Sequence, residues 1–178
     1  SSSTAARILG GWVCGRARGL SYFAVEPEAL EARCCDLNNF AGAPDTLRAA
    51  LWREAGTLTF YSKPDTADGS AIEVPGSTSL KEVEAVRLDT LLAGLELGAG
   101  TRILKLEAEG AEPEVLEGGA AALRHFDYVV ADCGYERGPS AQNTFVPVHD
   151  RLLAQGFELR HAEFGRVVAI YANPRRVE

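Results

Sequence analysis

The sequence has no apolar run near the roughly 20 residues that span a bilayer, which excludes a membrane-crossing helix. Basic residues are not in excess. Lys plus Arg is 18 against 25 for Asp plus Glu, so the formal charge is −7. With a pI near 5.1 there is no broad phosphate-binding surface, and nucleic acid is excluded as a bulk partner. The start, Ser1-Ser2-Ser3-Thr4, has no basic segment leading into an apolar one and does not read as a signal peptide. Cysteine is scarce. Cys14, Cys34, Cys35 and Cys133 form no C-x-x-C and no Cys/His cluster at zinc spacing. Cys34 and Cys35 are adjacent, a poor geometry for an unstrained disulfide, so reduced thiols in a cytoplasm are expected. Their residue type suits small apolar filling of helix and strand faces. No spacing demands a metal, and none is expected, although clustered carboxylates also suit Mg²⁺.

What is present is 46% hydrophobic residues over 178 positions, enough for a core in a single domain over 1–178. Helical patterns alternate with short β-rich runs. That alternation predicts an α/β fold with a mostly parallel sheet covered by helices on both faces. Residues 4–18 read as a helix with Ile8, Leu9 and Trp12 along one side, and 20–25 (LSYFAV) as an apolar strand ending at Glu26-Pro27. A helix over 28–40 has Leu30, Cys34 and Leu37 at helical spacing, with Asn38-Asn39 as its stop. Strands follow at 46–52 and 57–61, around the turn Glu54-Ala55-Gly56.

Residues 62–80, rich in Ser, Gly, Pro and Asp, read as an exposed loop, and Val86-Arg87-Leu88 as a short strand. Asp89 is placed to cap a helix at 90–97. The rest reads as strand 102–107, helix 113–124 opened by Pro113, strand 127–132, helix 145–155, and an antiparallel C-terminal hairpin of strands 157–162 and 166–172. No repeat or linker divides the chain.

In an open α/β sheet, ligands bind outside the carboxyl ends of the strands. Acidic groups fall at three such ends: Glu26, the pair Glu107 and Glu109, and Asp132. Glu26 follows an apolar strand, where a carboxylate can accept both hydroxyls of a ribose. Lys105 lies two residues before Glu107 on the same strand face, as a partner for these carboxylates or for a substrate. His125, at a helix end, complements the helix dipole. His149 lies on a helix near residues 134–143, a segment able to cover a site. His161 reads as surface.

The stretch from Leu104 to Gly118 (LKLEAEGAEPEVLEG) resembles the signature of the FkbM-type methyltransferases, roughly L-K-x-D-x-E-G-x-E-x-x-V-L-x-G. Val86-Arg87-Leu88-Asp89-Thr90-Leu91-Leu92 is similar to the V-x-L-D-T-L segment that precedes that signature. Phe23-Ala24-Val25-Glu26-Pro27 is similar to the family's F-E-P turn, and Val129-Val130-Ala131-Asp132 stands where the family carries a strand ending in Glu. Order and spacing are kept across most of 20–172.

The resemblance implies a class I methyltransferase (Rossmann-like) fold and S-adenosylmethionine as cofactor. The implied activity is O-methylation of a small molecule or glycan, of sugar or polyketide type. It implies that Glu26, followed by Pro27, binds the cofactor ribose, that Glu107 and Glu109 stand at the cofactor–substrate junction, and that Asp132 lines the substrate side. Glu107 or Glu109 is the expected base or hydroxyl-orienting group, with Asp132 in support and His149 as runner-up. Three departures stand out. Position 107 is Glu where the family has Asp, and 132 is Asp where it has Glu. No D-x-G-x-x-x-G turn precedes the first helix, so that turn and the first strand are expected upstream of Ser1 and this domain is expected to be N-terminally incomplete. The alternative is a non-catalytic interaction module that keeps the fold without cofactor binding. Acceptor choice is expected to rest on loops 62–80 and 134–144, and no pattern sets the oligomeric state.

Overall fold

The computed structural model describes residues 23–37, 46–63, 68–73, 77 and 79–177. The helix expected at 4–18, Cys14 and the first residues of the strand expected at 20–25 lie outside them. Val25 and Leu47 meet in an isolated parallel bridge. Beyond it, a first sheet is built from β1 (Ala50–Leu51), β2 (Gly56–Lys63), β3 (Asp68–Ser70) and β4 (Ser79–Val86), in the order β1-β4-β2-β3. β1 runs parallel to β4, with Leu51 opposite Val86. β2 runs antiparallel to both β3 and β4.

This corrects the loop expected at 62–80 and the strand expected at 86–88. β2 continues to Lys63, β3 turns back, and the strand ends at Val86. In Ser79–Ala85 the exposed Leu80, Glu82 and Glu84 lie on one face, and the other face has the partly or fully buried Ser79, Val83 and Ala85 with an exposed Lys81 among them. The charges hid a period-two pattern whose backbone groups are satisfied by the ladder to β2.

The second sheet contains β5 (Ile103–Leu106), β6 (Tyr128–Asp132), β7 (Glu158–Glu163) and β8 (Val168–Ala172), in the order β5-β6-β8-β7. β5 and β6 are parallel, and the expected C-terminal hairpin β7–β8 is antiparallel, as is β6–β8. The single, mostly parallel sheet is therefore corrected: the described strands form two sheets, and antiparallel pairing predominates. Parallel neighbours need a long crossover, whereas the short connections after β2 and β7 permit only hairpins.

Helix α1 (Ala29–Leu37) begins where the Glu26 side chain accepts the Glu28 N–H at 3.0 Å. Its stripe is not the expected one. Leu30 and Leu37 are 67% and 73% exposed, and the buried contact is Ala32, whose small side chain allows close approach. α2 (Leu88–Ala93) stops at Gly94, short of the expected 97. Asp89 does not cap it; its Oδ1 accepts the Ala122 N–H at 2.8 Å, across to the start of a 3₁₀ turn. The helix expected at 113–124 divides into α3 (Glu112–Gly118) and that 3₁₀ turn, Ala122–His125. The helix ends at Gly118-Gly119, and Gly118 has to be glycine, because a Cβ there would collide with the Trp52 carbonyl next to β1.

α4 (Phe145–Ala154) packs against α3. Leu106, Val115, Leu116, Val129, Val148, Leu152 and Tyr171 form the core that fixes both helices to the second sheet. Each such side chain contributes on the order of 1.5–3 kcal/mol by leaving water. Among the described residues no helix is long and apolar enough to cross a membrane.

Candidate functional site

Leu106 stands opposite Ala131 in the parallel pair; Glu107 follows β5 and Asp132 ends β6, opposite Val168 of β8, so both lie at the carboxyl edge. Two cations hold them. Lys105 pairs with Glu107, and Arg166, in the β7–β8 turn, reaches Asp132 at 3.1 Å. Burial holds the Asp132 carboxyl above its ordinary range and the Glu107 charge adds to this; Arg166 and Lys105 oppose it. A partly desolvated carboxylate beside a second one is suited to take up a proton or to orient a hydroxyl.

The turn beyond β5 is set by backbone and by a buried acid. Glu109 has φ +49° and Gly110 φ +94°. A Cβ at Gly110 would come within 2.8 Å of the Arg137 Cα, so both conformation and space require glycine there. Glu112 is 1% exposed. Its Oε1 accepts the N–H groups of Ala108 (2.8 Å) and Gly110 (3.1 Å), and its Oε2 accepts the Thr144 hydroxyl at 2.7 Å. Burial raises its pKa, and these hydrogen bonds work against that rise.

Arg137 fastens the facing segment. It donates to both carboxylate oxygens of Glu114, at 2.7 and 2.9 Å, and to the Gly110 carbonyl at 2.6 Å. It also exchanges backbone hydrogen bonds with Gln142. Segment 134–144 is thereby tied to the Glu107–Glu114 turn at several points. Sequence reasoning gave no role to Glu112, Glu114, Arg137 or Thr144. Glu112 had a signal, an acid directly before the helix-opening Pro113; Arg137 had none, because its partners meet only in the fold.

The other expected site residues are not all gathered here. Glu26 follows the Val25–Leu47 bridge, outside the named strands of both sheets, while Glu107 and Asp132 stand at the ends of β5 and β6. His149 stacks on Phe145, with centroids 5.4 Å apart, and its Nδ1 lies 3.3 Å from the hydroxyl of the buried Tyr171. No hydrogen bond or ion pair joins it to Glu107 or Asp132.

Cys133 is buried and its thiol is pushed up to about 12, as expected of a filler rather than a nucleophile. His125 departs from the dipole reading: burial, then Arg124, Arg102 and Arg176, push its pKa below the ordinary value. Among the described residues, no group of three or more His, Cys, Asp or Glu could hold a metal ion.

The family model described as the methyltransferase FkbM domain matches residues 12–159, most of the chain and all of the turn just described. The chain belongs to that family. No curated protein and no solved structure matches it.

Proposed function

We propose that the chain is an S-adenosylmethionine-dependent O-methyltransferase that methylates a hydroxyl of a small molecule or glycan. The observation that carries this reading is the Glu107–Asp132 pair at the carboxyl edge of β5 and β6, in a member of a methyltransferase family. The donor set suits the cofactor. Carboxylates hold ribose hydroxyls and complement a sulfonium cation, and Asp132 is partly desolvated and close enough to Glu107 to feel its charge. The cofactor supplies an electrophilic methyl group.

The chain's residues do the rest. Glu26 holds the ribose hydroxyls, with Pro27 fixing the turn behind it. Glu107 stands between cofactor and acceptor. Glu107 and Glu109 orient the acceptor hydroxyl, and Asp132 takes its proton. His149 is the second candidate for that base. Alignment of the acceptor contributes as much as proton transfer, because the displacement is in line. The Arg137 tie supports this by limiting the freedom of the 134–144 segment.

Calorimetric titration of the full-length protein with S-adenosylhomocysteine tests the reading. Micromolar binding that weakens at least about tenfold in Glu26→Ala is expected, tenfold being about 1.4 kcal/mol of lost ribose contact. No binding by a folded, full-length protein overturns it in favour of a fold retained as an interaction module.

A further inference from the structure

The opposite end of the second sheet carries a second, differently charged site. There the segments entering β5 and β6 border a cavity of about 470 Å³. Its lining includes the apolar Leu92, Leu95 and Leu97 together with Arg102, Arg124 and His125. Asp89 also lines it, but its carboxylate is already occupied by Arg87 at 2.9 Å and by the Ala122 N–H. Among the described residues neither guanidinium of the two lining arginines has a carboxylate partner, although the Arg102 backbone N–H donates to Asp127 Oδ2 at 2.6 Å. Arg102 donates to the Gly98 and His125 carbonyls, at 2.9 and 3.4 Å, and its buried Nε has no hydrogen-bond partner. Arg124 donates through Nε to His125 Nε2 at 3.2 Å, which requires that ring nitrogen to be unprotonated. Nearby Arg176 is neutralised by Asp127 at 2.9 Å.

Two guanidinium groups without a carboxylate partner and a histidine, lining one pocket with three leucines, suit a ligand with a compact anionic head and an apolar body. We propose that this cavity binds a small phosphate monoester, its phosphate on Arg102, Arg124 and His125 and its organic part against Leu92, Leu95 and Leu97. The site is separate from the Glu107–Asp132 edge and does not depend on the methyltransferase reading. The bound dianion offsets the cationic crowding around His125, so occupancy is reported by that ring.

The test is a histidine NMR titration of the full-length protein with butyl phosphate, inorganic phosphate and sodium chloride at matched ionic strength. Butyl phosphate is expected to raise the His125 pKa saturably. Inorganic phosphate should bind about tenfold more weakly, since it leaves the leucines unused. Arg124→Gln should weaken both phosphates about tenfold. Leu97→Ser, at the exposed rim, should weaken butyl phosphate alone. An equal response to sodium chloride, equal affinity for the two phosphates, or undiminished binding in both variants overturns the proposal.

Discussion

The two ends of the second sheet are built to opposite electrostatic patterns. At the carboxyl edge Glu107 crowds Asp132, and burial with that crowding raises the aspartate pKa. At the other end, burial and the arginines around His125 lower the histidine pKa. Each end therefore favours the neutral form of its titrating group. What differs is how the charges are tied down. Asp132 has Arg166, and Glu112 and Glu114 are held by the turn and by Arg137. Arg102 and Arg124 instead donate to carbonyls and to a histidine. The acidic end ties its carboxylates to cations and backbone N–H groups, and the basic end leaves its guanidinium groups on neutral acceptors.

Glu112 offers the strongest way to break the acidic end. Glu112→Ala removes the acceptor from two backbone N–H groups and a buried hydroxyl, each costing about 1 kcal/mol or more when left unmade. A loss of about 3 kcal/mol in urea denaturation is expected. Glu112→Gln, which keeps one carbonyl acceptor, should lose about half of that. Next comes Arg137→Ala, which leaves the largely buried Glu114 without its bidentate partner. About 2 kcal/mol should be lost, together with faster proteolytic cleavage within 134–144.

How far the sequence alone reached follows from where each constraint lies. The β5–turn–α3 unit was legible because its signals are local: an apolar strand, Gly110 at a positive φ, and Pro113 in the first turn of the helix. Glu107 and Asp132 were found for the same reason, each directly ending a strand. β4 was missed because its outer face is charged, and composition alone resembles a loop. The helix break falls at Gly118-Gly119, which the sequence shows, whereas the approach of Gly118 to the Trp52 carbonyl, 66 positions earlier, lies in no single window. Arg137 was invisible on the same ground, as was the two-sheet arrangement.

A smaller effect tests Asp132 by pH. Its folded pKa is raised, so its contribution to stability is fully present below its unfolded value near 3.9 and is lost as pH rises through the folded pKa. Asp132→Asn should therefore be more stable than the parent at neutral pH, by less than about 1 kcal/mol because the Arg166 contact is also lost. The difference should close below the unfolded pKa. Methyl transfer should move the other way. With Asp132 as base, the rate falls as pH drops through the raised pKa, and Asp132→Asn removes that limb. A variant that keeps the limb assigns the base to another group, and His149→Gln then tests the second candidate.

The smallest effect reads both ends at once. Raising sodium chloride toward 1 M shortens the screening length to about 3 Å, which weakens interactions between exposed charges and leaves burial unchanged. The arginine contribution at His125 should fade and its pKa rise, while the Glu107 contribution at Asp132 should fade and its pKa drop. Neither should return fully to its ordinary value, because burial is the largest cause at both sites. Opposite movements, followed by NMR of the two side chains in one salt series, would show that like-charge crowding acts at each end with opposite sign. If His125 moves and Asp132 does not, Arg166 and Lys105 already cancel Glu107, and burial alone sets the acid that the proposed chemistry uses.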